Sequence, residues 1–248
     1  MKTIRVLSIG NSFVQDPQRY LVPRASGHGV KIKCVNLMIG GCSLRTHYLN
    51  MLNDSKAYSL EINGEPTGFR TSISEALCAD DWDYVTLQQA SHFSCDPLTY
   101  TPYAKELAAY VRRYCPHAKI LVQQTWAYEK DSDRLTSMMG YSTPEEMFAH
   151  LKVAYEQMAK DVSAYATIPS GTAMLALCGM GEKAHRDTFH ASLGLGRYLL
   201  ALVWFGALTG RDIACDTFDA LDEPITDNQR QNAIGAAKEA LAVYGLLK

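Results

Sequence analysis

The sequence lacks the paired cysteines that mark structural zinc sites and disulfide-rich domains. Its cysteines are isolated from one another and stand at positions 34, 42, 78, 95, 115, 178 and 215. An odd number of cysteines without metal-ligand spacing is typical of reduced thiols that pack as small apolar side chains. The sequence therefore predicts a reducing, cytosol-like compartment, no bound metal and no cofactor.

Strong charge of either sign and long apolar runs are also missing. The formal net charge of −2 at pH 7 provides no basic field for nucleic acid. The longest apolar run, residues 198–208, is too short to cross a bilayer, and no signal peptide precedes the first strand-like segment. We expect no nucleic-acid or membrane partner, and a cytoplasmic protein unless a leader for secretion or periplasmic export has been removed. The oligomeric state stays open.

Alternating strand-like and helix-like segments make up most of the chain. Strand-like aliphatic or β-branched runs occupy residues 3–9, 30–37, 82–87, 119–123 and 165–168. Helical apolar periodicity covers residues 102–114, 144–163, 197–209 and 226–245, the last opening with a Thr226/Gln229 capping box. This order predicts a three-layer α/β/α sandwich, flavodoxin-like, around a five-stranded parallel sheet. Ligands then bind at the carboxyl ends of the strands.

One connection between predicted strands is too long for a simple alternation of strands and helices. Residues 43–79 follow the second strand and contain two strand-like runs, 58–62 and 67–71, joined through Asn63-Gly64. That pattern predicts a small hairpin inserted in the domain, placed where it could cap the active-site end. No repeat or linker interrupts residues 1–248, so we expect a single domain.

The end of the first strand carries a serine suited to nucleophilic chemistry. Gly10-Asn11-Ser12-Phe13 places Ser12 on a glycine-assisted turn at the carboxyl edge of the sheet, where a base can approach its hydroxyl. No phosphate-binding loop motif occurs there. An ordinary turn with a helix-capping serine is the better explanation of the motif when it is taken alone.

A second candidate pair lies late in the chain. Asp187 and His190 are three residues apart, so that in a turn the carboxylate can hold Nδ1–H of the imidazole and leave Nε2 as a base. A lone D-x-x-H is common in surface turns, but this one precedes a strongly apolar helix. His185 is the rival candidate for the base.

Further candidates follow the other predicted strands. Paired glycines, Gly40 and Gly41, could present a backbone N–H to a developing oxyanion, and a side-chain amide of Gln88 or Gln89 could assist. The remaining candidates for substrate contact are Asn11, Ser91, Trp126 and His47. Core packing is the stronger interpretation of Trp126. Because all these residues lie at strand ends, the topology places them at one edge of the sheet.

The order of these motifs resembles the SGNH/GDSL hydrolase superfamily over essentially the whole chain. Gly10-Asn11-Ser12 stands in place of its G-D-S block, Gly41 or alternatively Gly40 in place of its oxyanion glycine, and Asp187–His190 reproduces its D-x-x-H block. The chain is also similar to a branch of that superfamily catalogued as a domain of unknown function, with G-N-S-F, G-G-C-S-L, L-Q-x-x-S and D-x-F-H segments. All four segments are present.

The resemblance implies a serine esterase with a Ser12–His190–Asp187 triad and an acyl-enzyme intermediate. It also implies a short acyl group, such as acetyl, on a small-molecule or glycan ester; the carbohydrate rests on family analogy and on nearby aromatic and amide residues. Two departures stand out: Asn11 replaces an aspartate, and the G-x-N-D block with its oxyanion asparagine is missing. Gln88 is the favoured substitute for that asparagine, because it matches L-Q-x-x-S.

Two other functions fit less of the sequence. An inactive carbohydrate-binding or scaffold protein on the same fold is favoured by the missing asparagine and opposed by the intact triad set. A flavodoxin-like binding or signalling domain requires a phosphate-cradling first loop, but residues 10–16 contain one glycine and no basic residue.

Overall fold

A computed structural model describes residues 2–247 of the chain. The strands are β1 (Ile4–Gly10), β2 (Ile32–Met38), β3 (Tyr58–Ile62), β4 (Glu65–Thr71), β5 (Tyr84–Leu87), β6 (Lys119–Gln123) and β7 (Ala166–Ile168). The helices are α1 (Ser12–Gly27), α2 (Leu44–Leu52), α3 (Ile73–Cys78), α4 (Tyr103–Tyr114), α5 (Pro144–Asp161), α6 (Ser170–Gly179), α7 (Leu195–Thr209) and α8 (Asp227–Val243).

The strands form one sheet in the order β4-β3-β2-β1-β5-β6-β7. The five strands from β2 to β7 in this order are parallel, which confirms the predicted α/β architecture. Helices flank the sheet in two packed groups, one containing α1, α6, α7 and α8 and the other containing α2 to α5. Since β1 lies in the middle of the sheet, its carboxyl end opens at the centre of the site edge.

The predicted hairpin exists, but it extends the sheet and does not cap it. β3 pairs antiparallel with β2 and β4 pairs with β3, so the sheet has seven strands and not five. The turn between them uses Asn63 and Gly64, both in the left-handed region with φ of 55° and 82°, as a two-residue hairpin turn requires. Pairing with the exposed edge of β2 satisfies backbone groups that a free hairpin would leave to water.

The four predicted helices are confirmed, and four others lacked a clear pattern. α8 begins with the expected capping box between Thr226 and Gln229, and α7 ends at Gly210 in the left-handed region. α1 escaped prediction because Pro17 and Pro23 lie inside it, and proline normally interrupts a helix. α7 is buried along nearly its whole length, so it forms the centre of one helical layer. No helix within residues 2–247 is long and apolar enough to span a membrane.

The junction of β1 and α1 is built on the close approach of Gly10 to the first turn of the helix. A Cβ at Gly10 would lie 2.4 Å from Cγ2 of Val14 and 3.1 Å from Oδ1 of Asn36. Val14 is itself fully buried and has little room to move. The glycine therefore sets how near α1 begins to the end of the central strand.

We predict that Gly10→Ala destabilises the protein by about 1–3 kcal/mol, because the added methyl overpacks the junction. Urea denaturation followed by circular dichroism measures this change. Gly27→Ala is the matched control, since a Cβ at Gly27 meets no atom within 4 Å. Equal stabilities of the two variants would contradict the packing argument.

Candidate active site

The structure brings together the three residues proposed as a triad. The Ser12 hydroxyl oxygen lies 2.9 Å from Nε2 of His190, although the two residues are 178 positions apart. Nδ1 of His190 lies 2.7 Å from Oδ2 of Asp187. The imidazole is thus held between a carboxylate and a hydroxyl, which is the arrangement that lets a histidine remove a proton from a serine.

Ser12 owes its position to the start of α1. Asn11 is the N-cap of this helix, and its Oδ1 accepts a hydrogen bond from the Phe13 N–H at 2.9 Å. Ser12 is consequently the first helical residue, at the end of the helix where backbone N–H groups point outward and the dipole favours negative charge. Within the described part of the chain, the Ser12 N–H has no hydrogen-bond partner.

The turn that carries the base is fixed by its own carboxylate. Oδ1 of Asp187 accepts the backbone N–H of His190 at 2.8 Å, while Oδ2 faces the imidazole. Thr188 between them has φ of 72°, a left-handed conformation that is costly for a β-branched residue. The Thr188 carbonyl accepts the Glu129 N–H at 2.7 Å, which ties this turn to the loop after β6.

Asp187 keeps its charge at neutral pH. Partial burial opposes ionisation, but hydrogen bonds from the side chain and backbone of His190 outweigh it, and the pKa of Asp187 is lowered. A lowered carboxylate pKa means that the interaction contributes stability above the ordinary pKa of aspartate and is lost as the pH falls through the lowered value. Since the Asp187 side chain is 45% exposed, solvent screens this contribution.

Aromatic packing supports the imidazole from behind. Trp126 stacks on Phe13 with ring centroids 4.1 Å apart, and its Nε1–H donates to the Phe189 carbonyl at 2.7 Å. The Phe189 ring lies 3.8 Å from that of His190. Trp126 is fully buried, so its proposed contact with substrate is wrong; it braces the triad turn instead.

A buried carboxylate one helical turn after Ser12 links the start of α1 to the turn that carries His190. Oδ1 of Asp16 accepts hydrogen bonds from Arg186 at 2.8 Å and from Arg197 at 2.9 Å. Its Oδ2 accepts the backbone N–H of Ala191, the residue after His190, at 3.1 Å. Asp16 is fully buried. It therefore fixes the distance between α1, which carries Ser12, and the turn that carries His190.

Two other candidate histidines, His185 and His47, do not compete for the role of base. His185 is buried, and its Nε2 lies 3.1 Å from the Ala127 carbonyl, so this nitrogen is occupied by the backbone. His47 is fully buried against Tyr58, with Nδ1 3.0 Å from the phenol oxygen. Burial lowers the pKa of His47 to about 3. His47 is therefore a core residue, and the expectation that it contacts substrate is wrong.

An open cleft of about 400 Å³ lies over Ser12. The residues that line it include four of the main sequence candidates besides Ser12 and His190, together with six other residues. The candidates are Asn11, Gly40, Gly41 and Ser91; the others are Phe13, Met38, His92, Tyr128, Arg134 and Phe189. Nothing in a strand-end pattern singles out Arg134, because it lies on a short turn well after the end of β6.

The glycine loop presents a free backbone donor to this cleft. Gly41 has φ of 61°, which only glycine adopts without strain. In residues 2–247 its N–H finds no hydrogen-bond acceptor. Together with the Ser12 N–H, it offers two backbone donors at the cleft. Both belong to the class of donors that stabilise oxyanions.

Neither glutamine supplies the amide donor expected from the sequence. Nε2 of Gln88 donates to Oδ1 of Asn11 at 2.5 Å. Gln89 donates to the Thr99 carbonyl at 3.0 Å and accepts the Leu44 N–H at 2.9 Å. Both side chains are buried and neither lines the cleft. Their position at the end of a strand suggested that they reach the site. That position could not show that their amides form hydrogen bonds inside the protein.

Asn11 and Ser91 reach the cleft in supporting positions. Nδ2 of Asn11 donates to the Cys42 carbonyl at 3.3 Å, so this side chain joins the nucleophile turn to the glycine loop. The Ser91 hydroxyl lies 2.9 Å from the Tyr128 hydroxyl. Among residues 2–247, no group of three His, Cys, Asp or Glu side chains is arranged to hold a metal ion.

A family model described as a domain of unknown function, DUF4886, matches residues 5–240. The chain belongs to the DUF4886 family. A DUF4886 family protein from Bacteroides uniformis is 33% identical, with a TM-score of 0.91 over 100% of this chain and 98% of that one. No curated protein matches the sequence.

More distant structures show that this family has the SGNH-hydrolase fold. A protein from Slackia heliotrinireducens, described as a candidate SGNH hydrolase, is 20% identical with a TM-score of 0.60, over 82% of this chain and 98% of that one. A candidate GDSL-like lipase from Parabacteroides merdae is 14% identical with a TM-score of 0.52, over 84% and 95%. The resemblance inferred from the motifs is thereby confirmed at the level of the fold.

We predict that Asp16→Asn costs about 3–5 kcal/mol of stability, because it leaves Arg186 and Arg197 facing an uncharged amide in a buried site. Urea denaturation measures the loss. Asp131→Asn is the control, since Asp131 is exposed and makes no ion pair with another residue in the range 2–247. A small effect of Asp16→Asn, equal to that of the control, would show that the bridge is not structurally important.

Proposed function

We propose that this DUF4886 protein is a serine esterase that cleaves short acyl esters through an acyl-enzyme intermediate. The observation that carries the proposal is the continuous contact from the Ser12 hydroxyl to His190 Nε2, at 2.9 Å, and from His190 Nδ1 to the Asp187 carboxylate, at 2.7 Å. The fold shared with SGNH and GDSL hydrolases supports it. A fold alone does not specify a reaction, so the site geometry is the stronger argument.

The mechanism follows from the positions of these atoms. His190 accepts the Ser12 proton as the serine oxygen attacks the ester carbonyl, and Asp187 stabilises the imidazolium that forms. The backbone N–H groups of Ser12 and Gly41 stabilise the oxyanion of the tetrahedral intermediate. His190 then returns the proton to the departing alcohol, and water, activated by the same imidazole, releases the acid.

The cleft favours a short acyl group. Its volume of about 400 Å³ is at the lower end of small-molecule sites. Three residues near strand ends pointed to a carbohydrate alcohol, namely Trp126, Gln124 and Tyr128. Trp126 and Gln124 are fully buried, whereas Tyr128 is almost fully buried but lines the cleft. The proposal therefore names an acetyl-sized acyl group, and acetylated methyl glycosides serve to test a sugar as its alcohol half.

A weak or inactive member of the fold is the second candidate. It is favoured by one observation, that no side-chain amide among the residues lining the cleft is free to reach the oxyanion. Loss of one oxyanion donor costs roughly a hundredfold to a thousandfold in rate. The prediction for Ser12 below separates this candidate from a working esterase.

We predict that wild-type protein hydrolyses p-nitrophenyl esters, with kcat/KM greatest for acetyl to butyryl and falling towards octanoyl. Ser12→Ala removes the nucleophile, and we expect a loss on the order of 10⁴-fold or more. Ser142→Ala, which alters an exposed serine outside the cleft, keeps the wild-type rate. Circular dichroism verifies that both variants fold. If Ser12→Ala is as active as wild type, or wild type is inactive on these esters and on acetylated glycosides, the esterase proposal fails.

We predict that Asp187→Asn lowers kcat by about 10³- to 10⁴-fold, because the amide no longer fixes the imidazole tautomer that accepts the serine proton. Because the pKa of Asp187 is lowered, its carboxylate stays charged between pH 5 and 9, and the wild-type rate should not change with its titration in that range. The pH dependence of kcat/KM tests this. A normal rate in Asp187→Asn would exclude Asp187 from the triad.

A further inference from the structure

The cleft contains one side chain that the esterase mechanism does not use, Arg134. It lies on a short π-helical turn, Arg134–Met138, and lines the same cleft as Ser12 and His190. It is half-buried. Its guanidinium carbon lies 3.9 Å from the centroid of the Phe189 ring, and Phe189 in turn contacts His190.

Arg134 differs from every other arginine that is removed from solvent. Of the arginines in residues 2–247 that are buried or half-buried, four form ion pairs with carboxylates and one donates to a carbonyl. The pairs are Arg5–Asp80, Arg19–Asp222, Arg24–Asp216 and Arg197–Asp16, and the carbonyl contact is Arg230 to Phe218. The Arg134 guanidinium makes no hydrogen bond or ion pair with any residue in the range 2–247.

An unpaired guanidinium in a half-buried position is costly, because it gives up part of its hydration without gaining an acceptor. The stack on Phe189 compensates only in part, since such cation–π contacts are weak at accessible sites. It does restrict the orientation of the planar group. The donor edge of the guanidinium is thus held at the cleft without a partner from the protein.

No carboxylate lines this cleft, so nothing there neutralises Arg134. The imidazole of His92, which also lines the cleft, adds no charge. Burial, and secondly the positive charge of Arg134, lower the pKa of His92, so His92 is neutral at pH 7. Among the residues that line the cleft, Arg134 is the one that carries a permanent charge. A single planar guanidinium matches a planar, singly charged carboxylate better than a phosphate dianion.

We propose that Arg134 binds a carboxylate of the substrate. The natural ester of this protein then carries, close to the scissile bond, a separate carboxylate group with a negative charge. The inference deepens the proposed esterase function and rests on it for the reaction. The net charge of the chain does not decide the charge of the substrate, because the sign of a cleft depends on the few groups that line it. The carboxylate lies either on the alcohol half or on the acyl half.

Two matched ester pairs test this proposal. The first is 4-acetoxybenzoate against methyl 4-acetoxybenzoate, in which the charge is on the alcohol half. The second is mono-p-nitrophenyl adipate against p-nitrophenyl hexanoate, in which the charge is on the acyl half. The readout is the ratio of kcat/KM for the charged ester to that for its neutral partner, compared between wild type and Arg134→Met.

We expect the ratio for one pair to fall about 10- to 100-fold in Arg134→Met, the range of a charge-assisted hydrogen bond, and the pair affected identifies the half that carries the carboxylate. Methionine keeps an apolar chain against Phe189, and Arg134→Lys should restore part of the ratio. Arg113→Met, which removes an exposed arginine of α4, is the control and leaves the ratio unchanged. A change smaller than about threefold in both pairs overturns the proposal.

A binding measurement separates this inference from the esterase proposal. In the Ser12→Ala protein, calorimetric titration with the same four esters should show tighter binding of a charged ester, and Ser12→Ala/Arg134→Met should lose that preference. Arg134-dependent binding without turnover in wild type would reject the esterase and keep the carboxylate site. Ser12-dependent turnover with no effect of Arg134 on rate or binding would keep the esterase and reject the site.

Discussion

The geometry of the site depends on the buried carboxylate of Asp16. It lies one turn after Ser12 on α1 and binds Arg186, Arg197 and the backbone N–H of Ala191. A charge at such depth is stable only when its partners are held in place. The loop from 184 to 192 must therefore pack against α1 in one orientation, and that orientation is the one in which His190 reaches Ser12. Fold stability and the alignment of the proposed triad therefore depend on the same contact.

Local sequence patterns predicted the bounds of those strands and helices that depend on neighbouring residues alone. The continuous apolar run of β6 gave its bounds, and the capping box gave the start of α8. α1 could not be predicted in this way, because Pro17 and Pro23 contradict its helical propensity and only packing in the buried layer retains it. In the site, the motifs identified Ser12, Asp187 and His190. No motif marks Asp16 or Arg134. Asp16 is important because of partners that are remote in sequence, and Arg134 is important because its guanidinium has no partner within residues 2–247.

The presence of Asn11, which stands in place of the aspartate in the G-D-S block of the SGNH/GDSL superfamily, has a physical reason in this structure. Its Oδ1 accepts hydrogen bonds from the Phe13 N–H and from Gln88, while its Nδ2 donates to the Cys42 carbonyl. An ionised aspartate could accept the first two but could not donate the third. Asn11 thus joins the nucleophile turn to the Gly41 loop, which holds the two backbone donors in a fixed relation. Gln88 supports this contact and is for that reason absent from the cleft.

The proposed groups for recognition and for catalysis meet in the short turn from Asp187 to His190. Asp187 and His190 are the proposed proton-transfer groups, and the guanidinium of Arg134 stacks on Phe189, which lies between them in sequence. An arginine normally loses considerable rotamer freedom when it binds a ligand, and stacking on Phe189 reduces that loss before the ligand arrives. The Phe189 carbonyl is held in turn by Trp126. The proposed position of a bound carboxylate relative to His190 therefore depends on this turn and on Trp126. It does not depend on a flexible surface side chain.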